Sequence, residues 1–354
     1  MTRILLTGGG TAGHVMPHIA MLPYYKEAGW DCIYVGGKGI ERSIAEHNGI
    51  PFYQIQTGKL RRYFSIENFI DIFRIFLGFF QALLILIKVR PQIVFSKGGF
   101  VSVPVAYAAW ILRIPVVTHE SDFTPGLANK LMKPMCRLIF CAFPETLKLL
   151  KSVEVVEAGI PVRQSLLHGS AQKGNEICGF SGRKPTILFM GGSSGAERIN
   201  KALEGILGRL LERFQVIHIA GKGKGSSFSH EDYKCFEFVS ENLEHLLALA
   251  DVVVSRSGAN SIFELRALGK PMLLIPLEIA SRGDQVDNAK SFEAKGWAKV
   301  LRETELSSEK LEHEIIELFE DSAKLKSSLI DVESKTKPIE IIMNNLRRLL
   351  HEND

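Results

Sequence analysis

The apolar positions of this 354-residue chain fall into two series that share one rhythm. Short continuous apolar runs lie at 4–7, 32–35, 52–55, 93–96, 116–119, 138–142 and 154–158, and stretches of helical periodicity separate most of them. A run apolar at every position is a strand buried on both faces, and its alternation with helices predicts parallel βαβ units. Residues 159–183 carry Gly, Pro, Ser and Lys without periodicity and predict a link between domains. The rhythm resumes at 186–190, 215–220, 235–239, 252–255, 272–276 and 298–301, and an amphipathic stretch at 337–350, with Pro338 in its first turn, predicts a terminal helix. The fold class expected is therefore α/β: two Rossmann-like, doubly wound parallel-sheet domains facing a cleft, over 1–160 and 161–335, followed by a helix in 336–354.

One segment departs from the rhythm. Residues 69–88 are unusually apolar and aromatic, and the run from 75 to 87 is broken only by Gln81. It falls short of the roughly 20 apolar residues that a spanning helix needs. Lys59, Arg61 and Arg62 precede it, and Lys88 and Arg90 follow. An apolar helix edged by cations suits the interface of an anionic membrane, with Phe73, Phe76, Phe79 and Phe80 as the inserting side chains. A buried crossover helix explains the same run equally well. Charge supports an anionic partner for the first half: residues 1–160 hold 17 Lys and Arg against 11 Asp and Glu, whereas the whole chain carries only +4. No basic run interleaved with aromatics points to nucleic acid. The five cysteines, Cys32, Cys136, Cys141, Cys178 and Cys235, form no C-x-x-C pair and read as reduced thiols. A strand starting at residue 4 leaves no room for a signal peptide.

The chemistry is concentrated in glycine turns that follow strands. Gly8-Gly9-Gly10-Thr11-Ala12-Gly13-His14 and Gly191-Gly192-Ser193-Ser194-Gly195 each follow an apolar run and open a helical pattern. There, backbone N–H groups and the helix dipole favour an anion. The first loop matches the G-x-G-x-x-G string of dinucleotide sites, but the next strand ends Val35-Gly36-Gly37-Lys38 with no ribose-binding acid, which argues against a nicotinamide cofactor. His14 is a candidate general base. His18 lies four residues on, yet no third ligand, H-E-x-x-H or D-x-D accompanies the pair, so no metal is expected. Lys97-Gly98-Gly99 forms a third glycine turn with a cation for phosphate, or a plain turn with a solvated lysine. His119-Glu120-Ser121-Asp122 ends another strand, and its carboxylates either act on an acceptor hydroxyl or cap the next helix. In the second half, Ser257, Gly258, Ala259 and Asn260 open a helix that carries Glu264, suited to phosphate and ribose. Asp284, Gln285 and Asn288 suit sugar hydroxyls. Taken singly, both strings also read as helix caps.

Taken in order, Gly9-Gly10-Thr11-Ala12-Gly13-His14, 97–104, His119-Glu120, Pro161-Val162-Arg163, Gly191-Gly192-Ser193, Arg256-Ser257-Gly258-Ala259 and Asp284-Gln285…Asn288 resemble the MurG family of glycosyltransferase family 28 across nearly the whole chain. The resemblance implies a GT-B fold whose terminal helix returns to the first domain. It implies inverting transfer of GlcNAc from UDP-GlcNAc to the 4-hydroxyl of the MurNAc unit of lipid I, forming lipid II at the cytoplasmic face of the bacterial membrane, without a cofactor. The first domain would bind the acceptor and the membrane, and the second would bind UDP-GlcNAc. His14 would be catalytic, with Glu120 beside it. Ser193 would meet the donor diphosphate, Phe238 and Val239 the uracil, Glu264 the ribose, and Asp284 and Gln285 the GlcNAc, with Arg163 near the donor. Gly10, Thr11, Ala12, Gly13, Lys97, Gly98, Gly99, Ser121 and Asp122 would face the acceptor. Cell-wall synthesis proteins are the partners implied. Ala12 in place of glycine, Ser121-Asp122 in place of Gln-Asn, Glu197 in place of arginine and Asp284 in place of glutamine depart from the family pattern. The residues also admit another GT-B enzyme, such as a diacylglycerol glycosyltransferase or a UDP-GlcNAc 2-epimerase, and a nucleotide-sugar sensor without catalysis.

Overall fold

A computed structural model describes residues 2–58, 66–191, 196–239, 241–278, 283–329 and 337–352. The chain divides into two compact units, Met1–Arg163 with Lys335–Asp354, and Gln164–Ser334.

Among the described residues, the first unit is built on seven parallel strands: β1 (Arg3–Thr7), β2 (Asp31–Gly36), β3 (Phe52–Gln54), β4 (Ile93–Ser96), β5 (Val116–Glu120), β6 (Cys136–Cys141) and β7 (Glu154–Glu157). Their order is β3-β2-β1-β4-β5-β6-β7. The helices used below are α1 (Met16–Glu27), α2 (Ile40–His47), α3 (Ile66–Val89), α4 (Ser102–Ile111) and α5 (Leu127–Met132). Consecutive residues of β1 explain the continuous apolar runs. Ile4 and Leu6 face one core, with Tyr34, Phe95, Met21 and Tyr25. Leu5 faces the other, with Val35, Val94, Ala82, Leu86 and Val105. The first core is closed by the helix Lys337–His351, which contributes Ile339, Ile342, Met343, Leu346 and Leu349, and Arg348 pairs with Glu154 at 2.5 Å. Strand order reverses between β1 and β4. Their C-terminal ends therefore open onto the crevice where α/β sheets bind ligands.

The second unit repeats the plan with β8 (Thr186–Met190), β9 (Gln215–Ile219), β10 (Tyr233–Phe236), β11 (Val252–Ser255), β12 (Met272–Leu274) and β13 (Lys299–Val300), parallel and ordered β10-β9-β8-β11-β12-β13. Here the reversal lies between β8 and β11. Two strands differ from expectation. The run at 235–239 pairs two residues earlier, because Phe236 stands opposite Ile219, the last residue of β9, and the ladder has no partner beyond it. The run at 298–301 pairs only through Lys299 and Val300, opposite Leu273 and Leu274.

The apolar segment at 69–88 has one covered face and one open face. It lies in α3, a crossover helix between β3 and β4. One face, with Gly78, Ala82, Leu86 and Val89, is buried, while Phe73, Phe76, Leu77, Phe80, Leu84 and Ile87 are exposed. Gln81, the polar break in the run, marks the tight contact: its Oε1 accepts from Gln56 N–H at 2.7 Å. Gly78 permits that approach, since a Cβ there would stand 2.1 Å from the Gln56 carbonyl oxygen.

Candidate active site

In the first unit, three loops leave adjacent strand ends. The loop after β1 turns through Gly10 at φ +87°. Its Gly8 carbonyl accepts from the Tyr34 hydroxyl at 2.8 Å. The loop after β4 turns at Gly98 and Gly99, both near φ +84°. It presses on the first loop so closely that a Cβ at Gly99 would lie 2.5 Å from the Gly9 carbonyl oxygen. That carbonyl accepts from His14 Nδ1 at 2.7 Å. A carbonyl can only accept, so Nδ1 carries the proton and Nε2 is the basic nitrogen. Thr11 Oγ1 lies 3.4 Å from the same Nδ1. The sequence places a half-buried histidine at the mouth of the glycine loop, and the loop itself fixes its tautomer.

His18 is a different kind of residue. It is fully buried, edge-on to Tyr34 and Phe95, and its Nε2–H donates to the Thr7 carbonyl at 3.2 Å. Burial pushes its pKa down to about 3. The two histidines bond to different backbone carbonyls.

Lys97 and His119 lie beneath these loops. Lys97 is 2% exposed, and its Nζ donates to His119 Nδ1 at 2.5 Å and to Ser121 Oγ at 2.8 Å. His119 Nε2–H donates to the Gly159 carbonyl at 2.7 Å. The imidazole is thus neutral, held well below its usual pKa by burial and by the lysine. Burial brings Lys97 down to about 7 against the pull of Glu120 and Asp122. Glu120 is also buried, and burial with the nearby Asp122 raises its pKa. Its oxygens accept from Asp122 N at 3.1 Å, Gly126 N at 2.8 Å and Asn129 Nδ2 at 2.7 Å. Two sequence assignments change as a result. Glu120, expected beside His14 as a reacting carboxylate, braces the loop that caps α5. Lys97, expected to reach phosphate, points its ammonium into the fold.

In the second unit, the end of β11 and the start of the helix Asp284–Ala294 are locked together. Ser257 Oγ donates to the Gln285 carbonyl at 2.7 Å, Asn288 Nδ2 donates to the Ser257 carbonyl at 3.1 Å, and Gln285 Oε1 accepts from Leu277 N at 3.0 Å. Three of the predicted donor residues are therefore neighbours. Gly258 is the N-cap of the helix Ala259–Ala267, which carries Asn260 and, half-buried one turn further on, Glu264. Arg256, beside them, is buried and ion-paired with Glu303, and its Nη1 donates to the Ile275 carbonyl at 3.1 Å. Asp284, half-buried, opens its helix behind Gly283. Phe238 and Val239 follow β10 at the edge of the sheet, two strands from β8, with Phe238 60% exposed.

Residues 4–141 match the glycosyltransferase family 28 N-terminal domain, and residues 186–341 match its C-terminal domain. The chain belongs to glycosyltransferase family 28. A relative from Geobacillus thermodenitrificans, named UDP-N-acetylglucosamine--N-acetylmuramyl-(pentapeptide) pyrophosphoryl-undecaprenol N-acetylglucosamine transferase, is 52% identical over 332 residues, covering 92% of this chain and 93% of its own. A Clostridium botulinum relative of the same name is 48% identical and covers 98% of each chain. The crystal structure of Acinetobacter baumannii MurG shares the fold, with a TM-score of 0.74 at 23% identity, over 97% of this chain and 100% of that one. The two parallel-sheet units are the GT-B architecture that the motif order implies.

Within this family 28 chain, Ser193, Arg61 and Arg62 lie outside the described residues. Arg163, half-buried, is the last residue of the first unit's opening stretch. Among the membrane candidates, Phe73, Phe76 and Phe80 are exposed, but Phe79 is half-buried against the α3–α4 core. Two groups escape a motif reading. Asn129 ties Glu120 to Thr118, whose Oγ1 donates to Asn129 Oδ1 at 2.9 Å. Glu41 reaches the first glycine loop from α2. Neither belongs to a glycine string, and only long-range contacts give them their places.

Proposed function

We propose that the chain transfers GlcNAc from UDP-GlcNAc to the 4-hydroxyl of MurNAc in lipid I, forming lipid II with inversion at the anomeric carbon. The observation that carries this reading is the His14 geometry in a chain 52% identical to a transferase of that name. Nδ1–H is held by the Gly9 carbonyl, which leaves Nε2 to take the proton of the acceptor hydroxyl. As the oxygen attacks, UDP departs, and the charge growing on its β-phosphate needs oriented donors. The second glycine loop with Ser193, and the helix N-terminus at Ser257, Gly258, Ala259 and Asn260, would supply them. Glu264 would take the ribose hydroxyls, Phe238 and Val239 the uracil, and Asp284, Gln285 and Asn288 the sugar, with Arg163 toward the donor. Thr11, Ala12, Gly13, Gly98, Gly99, Ser121 and Asp122 would face the acceptor.

A lipid-linked acceptor places the reaction at a bilayer surface. No helix among the described residues is long and apolar enough to cross a membrane. The exposed stripe Phe73, Phe76, Phe80, Leu84 and Ile87, flanked in the sequence by Arg61 and Arg62 before it and Lys88 and Arg90 after it, would hold the protein reversibly on the cytoplasmic face. The test is transfer of labelled GlcNAc from UDP-GlcNAc to a lipid I analogue, with diacylglycerol as a parallel acceptor and EDTA in one arm. Product on the lipid I analogue alone, unchanged by EDTA, is expected. Tight UDP-GlcNAc binding without product on that acceptor would overturn the reading.

A further inference from the structure

The first glycine loop is assigned to phosphate by its sequence, but its structure already holds an anion. Glu41, in the first turn of α2, is 2% exposed. Its Oε1 accepts from Gly37 N–H at 3.0 Å and its Oε2 from Gly10 N–H at 3.3 Å. The slot exists because side chains are missing around it. A Cβ at Gly9 would stand 2.7 Å from Glu41 Oε1, and one at Gly39 would stand 2.1 Å from Oε2. Among the described residues the carboxylate has no cationic partner, so backbone amides alone stabilise it.

The peptide unit it touches is decisive. The Gly10 N–H and the Gly9 C=O belong to one planar amide. Glu41 accepts from the N–H end, and His14 Nδ1–H donates to the C=O end. We propose that Glu41 is a positioning residue that acts on His14 through this amide. A carboxylate at the N–H end polarises the peptide, makes the Gly9 oxygen a stronger acceptor, and steadies the imidazole in its Nδ1–H form. It also favours the imidazolium that forms when Nε2 takes a proton. In serine hydrolases a carboxylate touches its histidine directly to the same end; here one peptide bond stands between them. The Gly10 amide is then committed to Glu41, and a phosphate oxygen brought to it would meet a buried negative charge.

The inference rests on His14 being the base, and the experiment separates the two. Glu41→Gln keeps the shape and removes the charge. On the full-length enzyme, kcat is expected to fall about tenfold to a hundredfold, the scale of a misplaced catalytic group, with KM for UDP-GlcNAc unchanged. In a His14→Ala background the same change is expected to cost nothing more. Wild-type kcat in Glu41→Gln beside an inactive His14→Ala overturns the inference and spares the base. Additive losses also overturn it, because they mark a general effect on the fold. An active His14→Ala overturns the base assignment itself. If Glu41→Gln does not fold, nitrogen NMR of histidine-labelled wild-type enzyme decides, with the His14 signal identified by its loss in His14→Ala. A protonated Nδ1 is expected, and a protonated Nε2 overturns the relay.

Discussion

In the proposed reaction His14 works by having its tautomer chosen for it. A histidine in a loop that did not bind Nδ1 would divide between two neutral forms, only one of which offers Nε2 as the base. His14→Ala is therefore expected to lower kcat by about 10²- to 10⁴-fold, the usual contribution of a general base, with UDP affinity by calorimetry unaltered. Lys97 carries a separate signature. Its pKa is about 7 in the fold against 10.5 for an ordinary lysine. Below pH 7 both the folded and the unfolded chain hold the proton, and the fold bears the full cost of a buried charge. Between pH 7 and 10.5 only the unfolded chain holds it, so this cost shrinks as pH rises. Melting temperatures of the wild type and Lys97→Met, compared from pH 6.5 to 10, should shift in favour of the wild type as pH increases. A constant difference across that range would rule out a titrating Lys97. At this scale the sequence is legible where a residue bonds within its own loop, as His14 does to the Gly9 carbonyl. It leaves Glu120 and Lys97 open, because their type suits chemistry while burial commits them to neighbours.

The helix α3 has a buried face and an exposed face, and substitutions should separate packing from the membrane contact proposed above. Phe76→Asp or Phe80→Asp is expected to reduce binding to anionic vesicles and use of a lipid acceptor, with the melting temperature and UDP affinity near wild type. Loss of fold or of UDP binding would make these side chains part of the core. Leu86→Ala, on the buried face, should do the opposite: about 2–5 kcal/mol of stability lost in denaturant melts, with vesicle binding retained by the folded fraction. From 75 to 87 the helix is apolar on every side but for Gln81, and periodicity of hydrophobicity cannot then say which side is covered. Packing against α4 and the backbone near Gln56 decides it, through Gly78 and Gln81. The strands are legible for the opposite reason. Burial on both faces requires apolar residues at every position, and that pattern survives in β1, β4, β8 and β11 with boundaries almost unchanged. Where a partner strand ends early, as β9 does beside β10, no local signal records it.

At the scale of the whole molecule, the first unit is assembled from both ends of the sequence, with the second unit strung between them. The helix Lys337–His351 fills a face of the first sheet with five buried side chains, among them Ile342 and Leu346. Ile342→Asp should therefore unfold the first unit, seen as lost protection of β1 and β4 amides in hydrogen exchange, while β8 and β11 remain protected. Equal loss in both units would mean that they fold as one. The doubly wound plan of each unit is legible from the strand–helix rhythm, and the expected return of the last helix comes from family resemblance. Its consequence lies in the order of synthesis. A ribosome delivers the second unit complete before it delivers the last piece of the first, so an open apolar sheet face must wait through some 170 residues of further translation, roughly ten to thirty seconds at ordinary elongation rates. The earliest part of this enzyme to be made is the last to be finished, and in that interval it depends on whatever covers nascent chains.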